Sequence, residues 1–496
     1  MPRLSKSRFI AGWQCPLRLW FTAHSPELAT PPDEGLQRVF AQGHRIGKLA
    51  QARYPGGVLV AENHHQTAQA LERTADLMSD PAVPAIYEAA IEHRGVLTRV
   101  DVLARNGDSW DLVEVKGSTR AKEVFQVDVA AQYWVLQGAG IPVGEAGLLL
   151  VNREYVYLGG EYDLQRLFYF APLTEWCADR QEWVGEQVEQ FHGVLEQSVP
   201  PDVDIGPHCQ SPYACPFWEH CSRDVSWPER PIAWLPNLRG RRQELEARGI
   251  HSIDDIPENY PLTAHQERVR ASTRTGRPWV SPGLRDALEE VEWPLVALDF
   301  EATTTPLPRY PQTRPFDATP FQFSCHVQHH PEGEAVHHEY LHTDSTDPRR
   351  PLAEALLAAA GEAGTILVYS GYEQRVIREL ADAVPECREA LHALLPRLRD
   401  LLKVVREHYY HPGFEGAYSI KNVLPTLVPN LQYAELEITD GQAAADAWLE
   451  MLDTTDPAQR TAIEAALRRY CQLDSYAMLR LREALLREGD RPGIKL

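Results

Sequence analysis

The stretch WPLVALDFEATTT, residues 293–305, constrains this chain more than any other. It reads as a buried strand that ends in acids. Asp299 and Glu301 stand two apart, so on a strand both side chains leave the same face. The strand also opens a new apolar block after a Pro-rich, helical stretch, which marks the start of a domain. At 496 residues the chain is too long for one core, and two or three domains are expected. One Asp-x-Glu pair is equally what a solvated strand terminus looks like, so the reading turns on whether other acids join it.

Others are suitably placed. TILVYSGYEQRVIREL, residues 365–380, reads as a strand, a turn and a helix with Glu373 near the helix start. In AIEAALRRYCQLDSYAMLRLREALLRE, Tyr470 and Asp474 are four apart and share a helical face. Asp299, Glu301, Glu373 and Asp474 are thus expected around two metal ions about 3.5–4 Å apart, with Tyr470 orienting a water. Between them, RDLLKVVREHYYHPGFEGAYSIKNVLP offers Asp400 and Lys421, as substrate contacts or as structural groups.

The first half carries a second constellation. GVLTRVDVLARNGDSWDLVEVKGST, residues 95–119, predicts two strands joined at Asn106-Gly107-Asp108. Glu114 and Lys116 then share a face, and the hairpin brings Asp101 beside Glu114. Two carboxylates forced together repel unless a cation sits between them, and a divalent metal with an adjacent lysine meets that need. Glu-x-Lys alone also marks a salt bridge on an edge strand. FAQGHRIGKLA, residues 40–50, predicts a helix offering His44, and FQVDVAAQYWVL, residues 125–136, one offering Gln132.

PHCQSPYACPFWEHC, residues 207–221, places Cys209, Cys215 and Cys221 among aromatics and prolines, one thiol short of a four-ligand site. Eight cysteines are too few for a disulfide scaffold in a chain of this size, and a cluster points to metal. Cys177, Cys325, Cys387 and Cys471 are expected as small buried packing residues. No apolar run suits a signal peptide or the roughly 18–20 residues needed to cross a bilayer, so a cytoplasmic protein without membrane contact is expected. The net charge of −21 argues against a basic coat, although a local basic groove suffices for nucleic acid. Residues 238–292 predict short helices carrying Arg239, Arg241, Arg242, Arg248, Arg268, Arg270, Arg274 and Arg277, either as a solvated linker or as a helix-hairpin-helix-like element.

The order His44, Asp101, Glu114-Val-Lys116, Gln132 resembles the PD-(D/E)XK nucleases of the RecB type. That resemblance implies metal ligation by His44, Asp101 and Glu114, catalytic assistance by Lys116 and a substrate contact from Gln132. The iron–sulfur branch, which includes CRISPR-adaptation and AddB-type nucleases, implies a [4Fe–4S] cluster held by Cys15, in GWQCPLRLW, with Cys209, Cys215 and Cys221. The Cys-x5-Cys-x5-Cys spacing is wider than in many relatives, which keeps zinc open with His208 and His220 as spare ligands. Leu136 stands where many relatives carry tyrosine.

The second set resembles the DEDD exonucleases of the ribonuclease H-like fold, in the subtype ending in Tyr-x3-Asp. Glu373 departs from the usual aspartate. LDFEA, TPFQFSCHV, GAYSIKNVLP and YCQLDSYAM together resemble a bacterial family of unassigned function that joins both modules. The expectation is an α/β chain with a nuclease domain at 1–224, a helical linker at 225–292 and an exonuclease domain at 293–496. Its implied activity is Mg²⁺- or Mn²⁺-dependent phosphodiester hydrolysis, with DNA favoured over RNA, in repair, processing or defence. The alternatives are a nucleic-acid-end binding module with degenerate sites, or an RNA exonuclease.

Overall fold

The computed structural model describes residues 3–238, 240–431, 436–491 and 494. It is mixed α/β, 49% helix and 18% strand, with several sheets. The chain divides into two compact units. The first runs to Val225 and includes Thr305–Asp317; the second holds Ser226–Thr304 and the chain from Ala318 onward.

In the first unit, seven strands form one sheet among the described residues: β1 (Leu4–Ser5), β2 (Val58–Leu59), β3 (Ala85–His93), β4 (Val96–Asn106), β5 (Ser109–Lys116), β6 (Val143–Val151) and β7 (Phe168–Pro172). The order is β2-β3-β4-β5-β6-β7, and β1 pairs in parallel with the start of β4. Gly107, at φ 59°, lies in the tight turn that returns β4 into β5 with Asn106 opposite Ser109 and Val102 opposite Val113. The helix Glu123–Gly138 carries the chain from β5 to the parallel β6.

Alternation along the strands sorts side chains between two cores. Leu112, Leu148 and Leu150 face Phe9, Val127 and Phe191, whereas Val113, Leu149 and Val151 face Ile46, Tyr155 and Leu307. Both faces of the sheet are therefore covered.

The second unit has a five-stranded sheet in the order β11-β10-β9-β12-β13. Its strands are β9 (Leu295–Thr304), β10 (Ala318–Gln328), β11 (Ala335–Leu341), β12 (Thr365–Val368) and β13 (Leu398–Asp400), while β8 (Trp279–Val280) pairs apart from it with β14 (Tyr409–Tyr410). β9, β10 and β11 are antiparallel neighbours, and β12 and β13 run parallel to β9. Val296, Leu298 and Phe300 pack with the helices Arg349–Ala360 and Tyr372–Ala383. Leu295 and Ala297 face the other way, toward Met478 and Leu479 of the long helix Pro457–Gly489. Continuing that alternation aims Asp299 and Glu301 at the long helix.

The boundaries differ from the expected cuts in two places. Residues 226–292 cluster with the second unit instead of forming a separate linker. Thr305–Asp317, expected inside the last domain, clusters with the first unit. There Leu307 is buried in the core of Val102 and Val113, and the backbones of Tyr157 and Thr313 are bonded at 3.0 Å. Of the arginines singled out between residues 238 and 292, Arg239 lies outside the described residues. Arg242, Arg248, Arg270 and Arg274 pair with Glu246, Glu244, Glu267 and Glu258, and Arg268 lies over Trp279. Much of that positive charge is used locally, as in a solvated helical segment. Among the described residues, no helix is long and apolar enough to cross a membrane.

Candidate functional site

In the second unit, three distant segments meet at one cavity of about 370 Å³. Asp299 and Glu301 come from β9, Glu373 from the first turn of the helix Tyr372–Ala383, and Tyr470 and Asp474 from one face of the long helix. All five line the cavity, together with Arg375, Lys421 and Gln442. Lys421 bonds the carbonyl of Thr439 and lies 5.6 Å from the centre of the Tyr470 ring. Asp400 is not among the lining residues; its carboxylate caps the helix Leu401–His408 through the amides of Leu402 and Lys403.

Burial and mutual repulsion dominate the electrostatics of this cavity. Asp299 is pushed well above the ordinary carboxylate range by burial and by Asp474, Glu301 and Glu373. Glu301 is raised by burial and Asp474, with Lys421 opposing. Burial pushes Glu373 up to about 8, and its Oε2 is buried without a hydrogen-bond partner. Such an arrangement suits a cation, which neutralises converging carboxylates that otherwise retain protons.

Cys471 is a correction to the sequence reading. It is fully buried, as expected, but its thiol donates to Asp299 Oδ2 at 3.7 Å instead of packing among apolar groups. Among the described residues, Asp299, Glu301 and Cys471 make up the group of three possible ligands whose atoms lie within 4.8 Å of one another. Cys177 and Cys325 do sit in apolar cores, while Cys387 is only half-buried.

In the first unit, Asp101 from the middle of β4, Glu114 and Lys116 from the end of β5, and Gln132 from the helix Glu123–Gly138 come together. Lys116 Nζ donates to Glu114 Oε1 at 2.7 Å and to Asp128 Oδ2 at 2.8 Å. Gln132 Nε2 donates to Glu114 Oε2 at 2.9 Å, and the Val115 amide donates to Asp101 Oδ2 at 2.7 Å.

Three participants were not read from the sequence. Asp128 lies one helical turn before Gln132 and bonds it at 3.3 Å. Lys6 follows β1 directly, and β1's pairing with Val96 and Leu97 delivers the ammonium to the carboxylates. Lys6 Nζ lies 2.9 and 3.1 Å from the two oxygens of Glu114 and 4.0 Å from Asp101 Oδ1. Glu88 adds a further acid from mid-β3, where it adopts φ 55° and interrupts the ladder opposite Asp101.

Burial works against the Glu114 carboxylate, yet Lys116 and Lys6 hold it far below the usual range. Asp101 is raised by burial and by Glu114. His44 is exposed on the helix Glu34–Ala52, and its ring, Asp101 and Glu114 do not place three ligand atoms within 4.8 Å of one another. The Lys6 ammonium lies beside both carboxylates.

The four cysteines, Cys15, Cys209, Cys215 and Cys221, line one cavity with Phe21, Ile205 and Phe217. Cys15 breaks two successive helices, with Pro16 starting the second. Gln14 Nε2 bonds the carbonyls of His208 and Tyr213 at 2.7 Å each, holding the C-terminal loop against the N-terminal helices. Burial raises the thiols of Cys215 and Cys221, and the neighbouring sulfurs add to it. Four ligands on one tetrahedral zinc lie about 3.8 Å apart, whereas no three of these sulfurs fall within 4.8 Å of one another. His208 lines the cavity, and His220 instead packs edge-on to Phe21.

Residues 296–419 match a family model described as "Domain of unknown function (DUF2779)". The match contains Asp299, Glu301 and Glu373 and stops before Tyr470 and Asp474. A search of curated proteins finds no match.

The raised carboxyls make stability depend on pH. The folded chain holds protons on Asp299, Glu301 and Glu373 to higher pH than the unfolded chain does, so their contribution is full at acid pH and is lost as pH rises, for Glu373 through about 8. In EDTA, denaturant unfolding should show stability falling between about pH 5.5 and about 8, Glu373→Gln should flatten the fall, and Mg²⁺ should restore stability at the alkaline end. Equal slopes for Glu373→Gln and the parent would contradict the assignment.

Proposed function

We propose that the chain is a metal-dependent nuclease with a site in each unit, hydrolysing phosphodiester bonds of nucleic acid, DNA in preference to RNA. The observation that carries this reading is the convergence of Asp299, Glu301, Glu373, Tyr470 and Asp474 on one cavity from three segments far apart in sequence. Burying several carboxylates around a solvent-reachable cavity is unfavourable unless the site binds cations. Mg²⁺ or Mn²⁺ held there would supply charge neutralisation at the phosphate and a more acidic water.

The chain's own groups have separable roles. Asp299, Glu301, Glu373 and Asp474 hold the ions, and Glu373, the longer side chain, reaches in from its helix start. Tyr470 orients the water, and Arg375 and Lys421 offer positive charge to the substrate phosphates. This local charge matters because the chain as a whole is strongly acidic. The order β11-β10-β9-β12-β13, antiparallel and then parallel, supports a ribonuclease H-like fold. With the resemblance of the sequence motifs, that favours removal of nucleotides from 3′ ends.

In the first unit, Asp101 and Glu114 would hold a metal, with Lys116 steadying the nucleophile or phosphate and Gln132 fixing Glu114. The fold supports a PD-(D/E)XK assignment through its β4–β5 hairpin and the helix Glu123–Gly138. Lys6 favours a second reading for this unit alone: with its ammonium on Glu114, the unit binds nucleic-acid ends without cutting them. Cys15, Cys209, Cys215 and Cys221 suit a [4Fe–4S] cluster better than zinc, since their sulfurs surround a common cavity at more than single-ion spacing.

Purified protein with Mg²⁺ or Mn²⁺ should degrade labelled DNA, and EDTA should stop it. Asp299→Ala should remove 3′-end trimming by about 10²–10⁴-fold, and Lys116→Ala should remove a separate part of the cleavage. Loss from Asp299→Ala with none from Lys116→Ala would select the end-binding reading of the first unit. No turnover of DNA or RNA with either metal would refute the nuclease assignment.

Anaerobic purification should give a brown protein with about four iron atoms per chain, and Cys15→Ala should lose them together with much of the first unit's stability. Stoichiometric zinc without iron would overturn the cluster.

A further inference from the structure

Beside Asp299 in the second unit lies a donor that Mg²⁺ chemistry does not need. Cys471 is fully buried, and its Sγ lies 3.7 Å from Asp299 Oδ2. Two ligands of one tetrahedral ion, with metal–sulfur and metal–oxygen distances of about 2.3 and 2.1 Å, lie about 3.6 Å apart. The observed separation, spanned by a hydrogen bond in this structure, also fits two ligands of one ion. Glu301 brings a third donor atom within 4.8 Å of the other two. Independently, Glu373 is 4% exposed, lines the cavity of the second unit and has a buried Oε2 without a hydrogen-bond partner. That oxygen is an unsatisfied acceptor in the cavity that Asp299 and Glu301 also line.

We propose that Asp299, Glu301 and Cys471 form a mixed carboxylate–thiolate site that takes a zinc-class divalent ion (Zn²⁺, Co²⁺ or Cd²⁺) in preference to Mg²⁺. The inference deepens the reading of the second unit and rests only on its carboxylates holding a cation. Mg²⁺ is a hard ion that prefers oxygen donors and octahedral geometry, so the thiol adds nothing for it. A softer ion gains a thiolate, and the Cys471 proton leaves to solvent as the metal–sulfur bond forms. The hydrogen bond from the thiol to Asp299 in the absence of metal keeps Sγ beside the carboxylate. The consequence is a metal-discriminating site, in which a zinc-class ion displaces Mg²⁺ from the Asp299–Glu301 position.

The test is a Co²⁺ titration of the full chain with its Cys15, Cys209, Cys215 and Cys221 site intact, followed by absorbance. Wild type minus Cys471→Ser should show a thiolate-to-cobalt charge-transfer band that saturates at one equivalent, because the other four cysteines cancel in the difference. Cys471→Ser should weaken Co²⁺ binding about 10–100-fold and leave Mg²⁺ binding unchanged. Asp299→Asn, which retains the thiol, should lose the same band, so the result does not depend on the serine variant folding. A featureless difference spectrum, or equal Co²⁺ affinity in both proteins, would overturn the proposal. The readout needs no substrate, so a nuclease assay that fails leaves it standing, and a failed titration leaves hydrolysis with Mg²⁺ standing.

Discussion

Buried like charges are the constraint around which both units are organised. A carboxylate removed from water needs a cation, a proton or dedicated hydrogen bonds, and two adjacent carboxylates double the need. The units meet this in different ways. In the first, Lys6 and Lys116 sit on Glu114, and Asp128 and Gln132 complete the network. In the second, four acids face one cavity, and the carboxyls respond by holding protons. Among the described residues, no lysine ammonium bonds Asp299, Glu301 or Glu373 as Lys6 and Lys116 bond Glu114, which makes the second cavity the stronger candidate for a cation.

What could be read from the sequence follows from periodicity. The β4–β5 hairpin, the helix that carries Gln132 and the strand that carries Asp299 and Glu301 are all local patterns, with alternation two or four residues apart; that strand runs on to Thr304 instead of ending at the acids. The α/β class follows from the same signals. Lys6 was not legible because its position depends on β1 pairing with β4 more than ninety residues away. Asp128 was hidden by its i, i+4 relation to Gln132, which reads as an ordinary polar helix face. Cys471 looked like one more small core residue, since nothing local distinguishes a packing thiol from one beside a carboxylate.

Thr305–Asp317 shows a different limit. Its composition, rich in proline and threonine, marks a loop between β9 and β10, and a loop in sequence is assigned to the domain around it. Leu307 and Tyr310 nevertheless bury within the first unit, whose core the segment joins. The cysteines are a third case. Cys15 and Cys209 are separated by nearly the whole first unit, and a cluster joining them would close that long loop, with the loop-closure entropy removed from the unfolded state. The Gln14 contacts to His208 and Tyr213 already bring the two ends together.

The central claim is that the acids of the second unit converge to grip divalent cations. Crystals soaked in Mn²⁺ and measured for anomalous scattering test it most directly. The account predicts one or two strong peaks in the cavity, bonded by Asp299, Glu301 and Asp474. Manganese bound elsewhere on the chain, with that cavity empty at a concentration that saturates other sites, would contradict it.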